Sequence, residues 1–355
     1  MAFYDRNGIR AAIPKQRLNL SILANEVIQG DMLAFGAETR DGFLNRIFRY
    51  YYPKADASIS LSLNTYENDL NELLSDIIKD KEIKRRVITR LSDKKGNHLK
   101  EAANVDEKGE GFYFNLNKDN FMYLSDPQSE CGEDKYYKNH RSRYIKAVFE
   151  EYARLHYVQR ELIYFTPYVQ EIEQAIKGEY QLKITTGYDR KYSIYPYKIL
   201  CDPLATANYL VGYSKRNNCL DDTERPCSFR ISALKSIAGE TGKSAFLKKE
   251  KWKQLRDDIS LRGVQFLSCV EEKITVKLTE EGVQKYRRQI HLRPKLETPK
   301  EEIKVDTDLV FSCTEAQAEF YFFKFGRDVE IVQPKRLRER FISLYREALK
   351  KYDNE

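Results

Sequence analysis

Residues 15–21 read as one short strand followed directly by helices, and a solitary strand is the element that most restricts how this chain can fold. Leu18 and Leu20 alternate with Arg17, Asn19 and Ser21, the period-two pattern of a half-buried strand. Ala24, Val27, Ile28, Met32 and Phe35 then share one helical stripe. Gly36 ends that helix, Thr39 is placed to cap the next, and Phe43, Leu44, Ile47, Phe48 and Tyr51 recur at helical spacing until Pro53. A lone strand leaves its backbone hydrogen bonds unpaired and its apolar face open, so a second strand must come from somewhere. Residues 111–156 offer one: Phe112, Phe114 and Leu116 alternate, 121–124 begin a helix, and Ile145, Val148, Phe149, Tyr152 and Leu155 form a long stripe. Two readings stand here: the two half-units, 15–52 and 111–156, pair within one chain, or residues 111–156 pack elsewhere.

Between the half-units, 66–91 reads as a helix with Leu70, Leu73, Leu74, Ile77 and Ile78 inside, and 92–111 as a polar, Gly-containing loop. Beyond residue 166 an amphipathic helix carrying Val169, Ile172 and Ile176 ends near Gly178, and short strands are expected at 180–185, 191–199, 209–214 and 227–234. Short strands with one leading helix indicate a small SH3-like barrel. After a linking stretch at 239–262, strand (264–278), helix (280–290), strand (305–313), helix (314–325), strand (329–332) and helix (334–351) alternate as an α/β module. The expected class is therefore a multidomain α+β protein, divided as 1–165, 166–238, a linker at 239–262, and 263–355.

A chain of 355 residues with 32% charged, 41% hydrophobic and 12% aromatic residues has ample material for two or three globular cores. Its net charge of +7 tilts partners towards polyanions. Cys131, Cys201, Cys219, Cys227, Cys269 and Cys313 contain no C-x-x-C pair and only four histidines complement them, so no structural metal and no cofactor are expected. Residues 1–13 lack a signal-peptide pattern and no apolar run reaches membrane-spanning length, which points to the cytoplasm. There is no P-loop, G-x-S-x-G, H-E-x-x-H or dinucleotide fingerprint, so no enzymatic activity is expected.

The short strand, helix, turn and helix of the first segment resemble the ribbon-helix-helix family, in which two copies pair their strands into one ribbon. Tyr195-Pro196, then Asn208-Tyr209-Leu210-Val211-Gly212-Tyr213, then Phe229-Arg230-Ile231 resemble the strand core of a WYL domain. The chain departs from that pattern at Asn208, where a Trp is usual, and at Ser232 and Ala233. Residues 325–334, with Leu337-Arg338-Glu339, are similar to the extension that follows WYL domains. The resemblance implies an SH3/Sm-like barrel that reads nucleic acids or nucleotides, with Arg230 at the family's ligand-contacting arginine, and a C-terminal ferredoxin-like module that serves dimerisation or regulation. This domain order resembles the WYL accessory proteins of RNA-targeting (type VI-D) CRISPR systems. It implies a single-stranded RNA-binding homodimer that modulates a CRISPR effector ribonucleoprotein; the Arg-x4–6-His spacing of CRISPR-linked ribonucleases is absent at His98, His140, His156 and His291. The alternative is a ligand-responsive transcriptional regulator binding duplex DNA, with single-stranded DNA as a further candidate ligand.

Seven tyrosines, Tyr180, Tyr188, Tyr192, Tyr195, Tyr197, Tyr209 and Tyr213, crowd into residues 180–213. They read either as a platform on which bases stack or as ordinary strand residues packed in a core. Alternation puts Tyr195 and Tyr197 on one face with Lys191 and Ile199. Lys183, Arg190, Lys191, Lys215, Arg216 and Arg230 are interleaved with them, against Asp189, Asp221, Asp222 and Glu224. Basic and aromatic side chains together suit a single strand, and the nominated RNA-binding set is Lys183, Arg190, Lys191, Tyr195, Tyr209, Tyr213 and Arg230. A ribbon would present Lys15, Arg17 and Asn19 as DNA-binding candidates. The C-terminal helix adds Lys335, Arg336, Arg338, Arg340, Arg346, Lys350 and Lys351, either a further nucleic-acid border or a solvated face.

Overall fold

The solitary strand finds its partner inside the chain. The computed structural model describes residues 3–4, 10–11, 13, 15–55, 59–103, 109, 111–129, 137, 140–187, 189–216, 224–240, 249–267, 272–297 and 303–352. These fall into two units, Met1–Thr166 and Pro167–Glu355. In the first unit a short hairpin of Phe3–Tyr4 (β1) and Arg10–Ala11 (β2) comes before Gln16–Leu18 (β3), and β3 leads into the helices Ile22–Ala34 (α1) and Arg40–Tyr51 (α2). Ser21 and Thr39 cap them, accepting from the Ala24 and Gly42 amides at 3.1 and 3.2 Å. A helical hairpin, Ile59–Ser75 (α3) and Lys81–Ala103 (α4), follows. Then come Phe112–Phe114 (β4), Lys118–Ser125 (α5), Arg141–Arg154 (α6) and Tyr157–Tyr164 (α7). Strand β3 pairs antiparallel with β4, setting Arg17 opposite Tyr113 and Leu18 opposite Phe112. Two strand-helix-helix units thus share one ribbon, whose inner residues Leu18, Leu20, Phe114 and Leu116 are buried with Phe43, Phe48 and Phe149.

Buried polar groups lock the two halves together. Glu150 accepts from the Ser21 backbone N–H at 2.6 Å and its hydroxyl at 2.7 Å, fixing the start of α1 against α6. Arg160 grips Asp31 through Nε at 2.6 Å and Nη2 at 3.1 Å, and the Tyr152 hydroxyl donates to Asp31 at 2.8 Å. Asn45 donates to the Asn115 carbonyl and accepts from the Asn117 amide, each at 2.8 Å, tying α2 to the chain just after β4.

The region between the halves differs from its sequence reading. The helix expected at 66–91 is two helices, because the Asp80 carboxylate accepts from the amides of Glu82 (2.8 Å) and Ile83 (3.0 Å) and starts α4 afresh. The loop expected at 92–111 is helical as far as Ala103. Gly96 belongs to packing and not to a turn: a Cβ there would stand 3.3 Å from Leu63 Cδ1 on α3.

In the second unit Thr166–Gly178 (α8) precedes Leu182–Thr186 (β5), Lys191–Cys201 (β6), Asn208–Arg216 (β7), Arg225–Arg230 (β8) and Leu234–Gly239 (β9). They form an antiparallel sheet in the order β8-β7-β6-β5-β9. The edges β8 and β9 do not pair, so the expected barrel is an open five-stranded sheet. What reads as one strand at 227–234 is broken by a helical turn at Ile231–Ala233 that sends β9 to the opposite edge. One face packs α8 through Ile172 and Ala175 against Leu182, Ile184, Ile194, Leu210 and Cys227. The expected linker at 239–262 holds a helix, Lys249–Arg262 (α9), whose Leu255 packs with Val264 and Leu267 on Val211 and Tyr213 of the other face. The sheet's covering layer therefore crosses the expected boundary at 262/263.

The remainder runs Glu272–Leu278 (β10), Glu280–Arg288 (α10), Lys295–Leu296 (β11), Leu309–Cys313 (β12), Glu315–Phe322 (α11), Val329–Gln333 (β13) and Lys335–Leu349 (α12). The sheet order β11-β12-β10-β13 with this β-α-β-β-α-β connectivity is a split βαβ arrangement around Ile274, Val276, Phe311, Tyr321, Phe322 and Phe341. Among the described residues no helix is long and apolar enough to cross a membrane.

Candidate nucleic-acid interface

The register of the five-stranded sheet decides which nominated residues meet. Directly opposed residues of an antiparallel pair share a face. Lys183 lies opposite Ser193, Ser193 opposite Lys215, Tyr195 opposite Tyr213, and Tyr209 opposite Arg230. With Lys191 two residues before Ser193, one face carries Lys183, Lys191, Ser193, Tyr195, Lys215, Tyr209, Tyr213 and Arg230. Arg190 is exposed in the turn before β6, where its carbonyl accepts from the Thr186 amide at 3.0 Å.

That face is half covered. A bulge between Pro196 and Lys198 shifts the alternation, so Ile199 joins the α8 side while Tyr197 stays on the α9 side. The simple alternation expected for Tyr195, Tyr197, Lys191 and Ile199 is corrected by this one extra residue. Tyr197 stacks on Trp252 at 5.4 Å between centroids, and Tyr213 meets the same indole edge-on at 5.9 Å. Tyr213 is only 3% exposed and its hydroxyl donates to the Lys251 carbonyl at 3.2 Å. Tyr209 is half-buried against the same cluster. Tyr192 points to the other face, 4.9 Å from Phe229. Tyr213 is thus core beneath α9, and most of the tyrosine crowding is packing.

The open part of the face lies beside α9. Lys183 is well exposed and pairs with Glu240 at 2.9 Å, and Lys191 is exposed. Tyr195 is half-buried at the margin; burial raises its phenol above the usual value, and Glu224 adds to the rise while Gln181, Lys251 and Lys215 oppose it. Lys251 pairs with Glu224 at 2.6 Å. At the far edge Arg230 is exposed, its guanidinium 3.5 Å from the Thr206 carbonyl. The loop there is held by buried Asp202, which accepts from the amides of Leu204, Thr206 and Ala207. Asn208 is buried. Tyr188, Asp221, Asp222 and the side chain of Arg216 lie outside the described residues.

On the ribbon of the first unit, Lys15, Arg17 and Asn19 are all exposed. The residue missed by the sequence reading as a potential stacking partner is Tyr113, 63% exposed and directly across from Arg17. Its signal was present, because in a strand whose Phe112 and Phe114 face inward the tyrosine between them faces outward. Three of the four arginines of α12 are engaged: Arg336 with Glu315, Arg338 with Glu330, and Arg340 with Glu319, at 2.5–2.6 Å. That helix is a solvated, ion-paired face.

No family model matches the chain, and no curated protein matches it. Among solved structures, one described as a CRISPR Cas-related protein superposes with a TM-score of 0.71 at 24% identity, covering 100% of this chain and 97% of its own. The two chains share a fold along their full length. The proteasome accessory factor B/C (PafBC) of Arthrobacter aurescens aligns at 13% identity with a TM-score of 0.27, over 96% of this chain and 50% of its own, too low to bear on the fold.

Proposed function

We propose that this chain is a non-enzymatic accessory protein that binds single-stranded RNA on the open part of its five-stranded sheet and modulates an RNA-targeting CRISPR effector. The observation that carries the reading is the shared face on which exposed Lys183 and Lys191 flank Ser193 and lead to the margin tyrosine Tyr195. Lysines at that spacing attract phosphates, and each base stacked on an aromatic face adds about 1–3 kcal/mol without regard to sequence. The fold shared with a CRISPR Cas-related protein supports the CRISPR setting. Phe320 at 69%, Ile342 at 40% and Leu349 at 58% exposure leave apolar surface on the C-terminal module, which supports a homodimer formed there.

A second reading has one observation in its favour: Arg17 and Tyr113 project together from the ribbon, as a regulator gripping duplex DNA with Lys15, Arg17 and Asn19 would require. Fluorescence anisotropy of matched single-stranded RNA, single-stranded DNA and duplex DNA across a salt series separates the two. The accessory reading expects tightest binding to RNA; preference for duplex DNA would transfer the function to the ribbon.

A further inference from the structure

The most basic element of the first unit is α4, with eight Lys and Arg against three Asp and Glu, a surplus of five in a chain whose net charge is +7. Its buried side, Ile88 and Ser92, faces the unit's interior, and Gly96 lets α3 approach. The opposite side presents Arg86, Arg90 and Lys94, all exposed, and Arg85, one turn before Ile88, is exposed at the start of the helix and joins Arg86 and Arg90 along one groove. Arg86, Arg90 and Lys94 recur every fourth residue, so a rise of 1.5 Å per residue spaces their charges about 6 Å apart along the axis, close to the separation of successive phosphates in an extended strand. Glu82, Arg85, Arg86, Thr89, Arg90 and Asp93 line an open groove of about 420 Å³.

A solvated face would spend such charges on neighbours, as α12 does. On α4, Arg86 pairs with Glu82 at 2.5 Å, an exposed pair of the kind that exchanges readily for another anion. Arg85, Arg90 and Lys94 form no ion pair with a described residue. The acids of α3, Glu67, Asp69 and Glu72, leave them unneutralised. We infer that the outer face of α4 is a second nucleic-acid surface, which holds a phosphate backbone without reading its bases. This goes beyond the sheet site: it lies in the other unit and carries no exposed tyrosine, so its contribution is electrostatic and salt-dependent, whereas stacking on the sheet is not.

The test is a salt titration of labelled single-stranded RNA binding by the full chain, comparing wild type, an α4 variant (Arg85→Gln, Arg90→Gln, Lys94→Gln) and a sheet variant (Lys183→Gln, Lys191→Gln). Three lost phosphate contacts on a single strand lower the log-affinity against log-salt slope by about 2. The α4 variant is expected to show that drop with at least a tenfold loss of affinity at low salt and an unchanged helical circular-dichroism signal. A charge-keeping variant, Arg85→Lys with Arg90→Lys, is expected to retain the slope. An α4 variant whose slope and affinity match wild type overturns the inference, as does a wild-type chain that binds no nucleic acid. Loss in the α4 variant with none in the sheet variant would leave this surface standing and remove the sheet site; the converse would do the opposite. Repeating the titration with single-stranded and duplex DNA distinguishes the ligand: comparable slopes for all three are expected, and an α4 effect confined to one sequence would refute backbone-only contact.

Discussion

A tyrosine's role here follows from what its ring faces. Tyr213 meets Trp252 and sits under Leu255, so Tyr213→Ala should cost about 3 kcal/mol by urea unfolding and weaken RNA binding only through lost folding. Lys183→Gln with Lys191→Gln touches no core, and should weaken binding and flatten the salt slope by about 1.4 with an unchanged unfolding midpoint. A destabilised lysine variant, or a Tyr213→Ala chain of full stability, would exchange the roles assigned to them. Cysteines divide in the same way. Burial pushes the Cys227 thiol up to about 12 from 9.0, although Ser214 and the Gly212 backbone hydrogen-bond to it and lower it. The folded chain therefore keeps a proton there that the unfolded chain releases above about pH 9, and stability falls as pH rises from 9 towards 12. At pH 8 a thiol reagent should modify exposed Cys201 quickly and buried Cys227 and Cys313 only in denaturant; fast labelling of Cys227 would mean that the sheet opens.

Elements reveal why local pattern and final arrangement diverge. The Gly before Tyr213 is legible as part of a WYL-like motif, yet its reason is tertiary: a Cβ on Gly212 would lie 2.0 Å from the Tyr195 carbonyl oxygen and 3.2 Å from Pro196 Cα, beside the bulge. Backbone cannot give way as a flexible side chain can. Gly212→Ala should therefore destabilise by about 2–3 kcal/mol or more, read by thermal unfolding, and a neutral effect would mean that the bulge relaxes elsewhere. Helix α9 was missed because residues 239–262 are dominated by charge, although Trp252, Leu255 and Ile259 recur at helical spacing and were the available signal. The break between α3 and α4 was missed for the opposite reason, since the Leu and Ile pattern continues across a boundary set by a single Asp80 cap.

For the whole molecule, the second unit alone holds, among the described residues, three apolar clusters, one on each face of the five-stranded sheet and one in the C-terminal module, and the covering layer of the sheet extends to Leu267. Truncation at 263 would strip Val264 and Leu267 from that layer, so the oligomerisation test is deletion of residues 272–355. Monomers by light scattering are expected if Phe320, Ile342 and Leu349 lie in the dimer contact, and persisting dimers would move the interface to another part of the chain. The sequence by itself carried the local patterns of the first strand-helix-helix run, the α8 helix, four of the sheet strands and the alternation of the C-terminal module, whose first strand begins at Glu272 and not at 264, because periodicity and capping are local properties. It also supplied the list of basic and aromatic candidates. Only the tertiary structure decided that β3 pairs with β4, that the sheet stays open, and that α9 takes Tyr197 and Tyr213 away from solvent. Those outcomes depend on residues distant in sequence competing for the same apolar faces, a competition that no local pattern records.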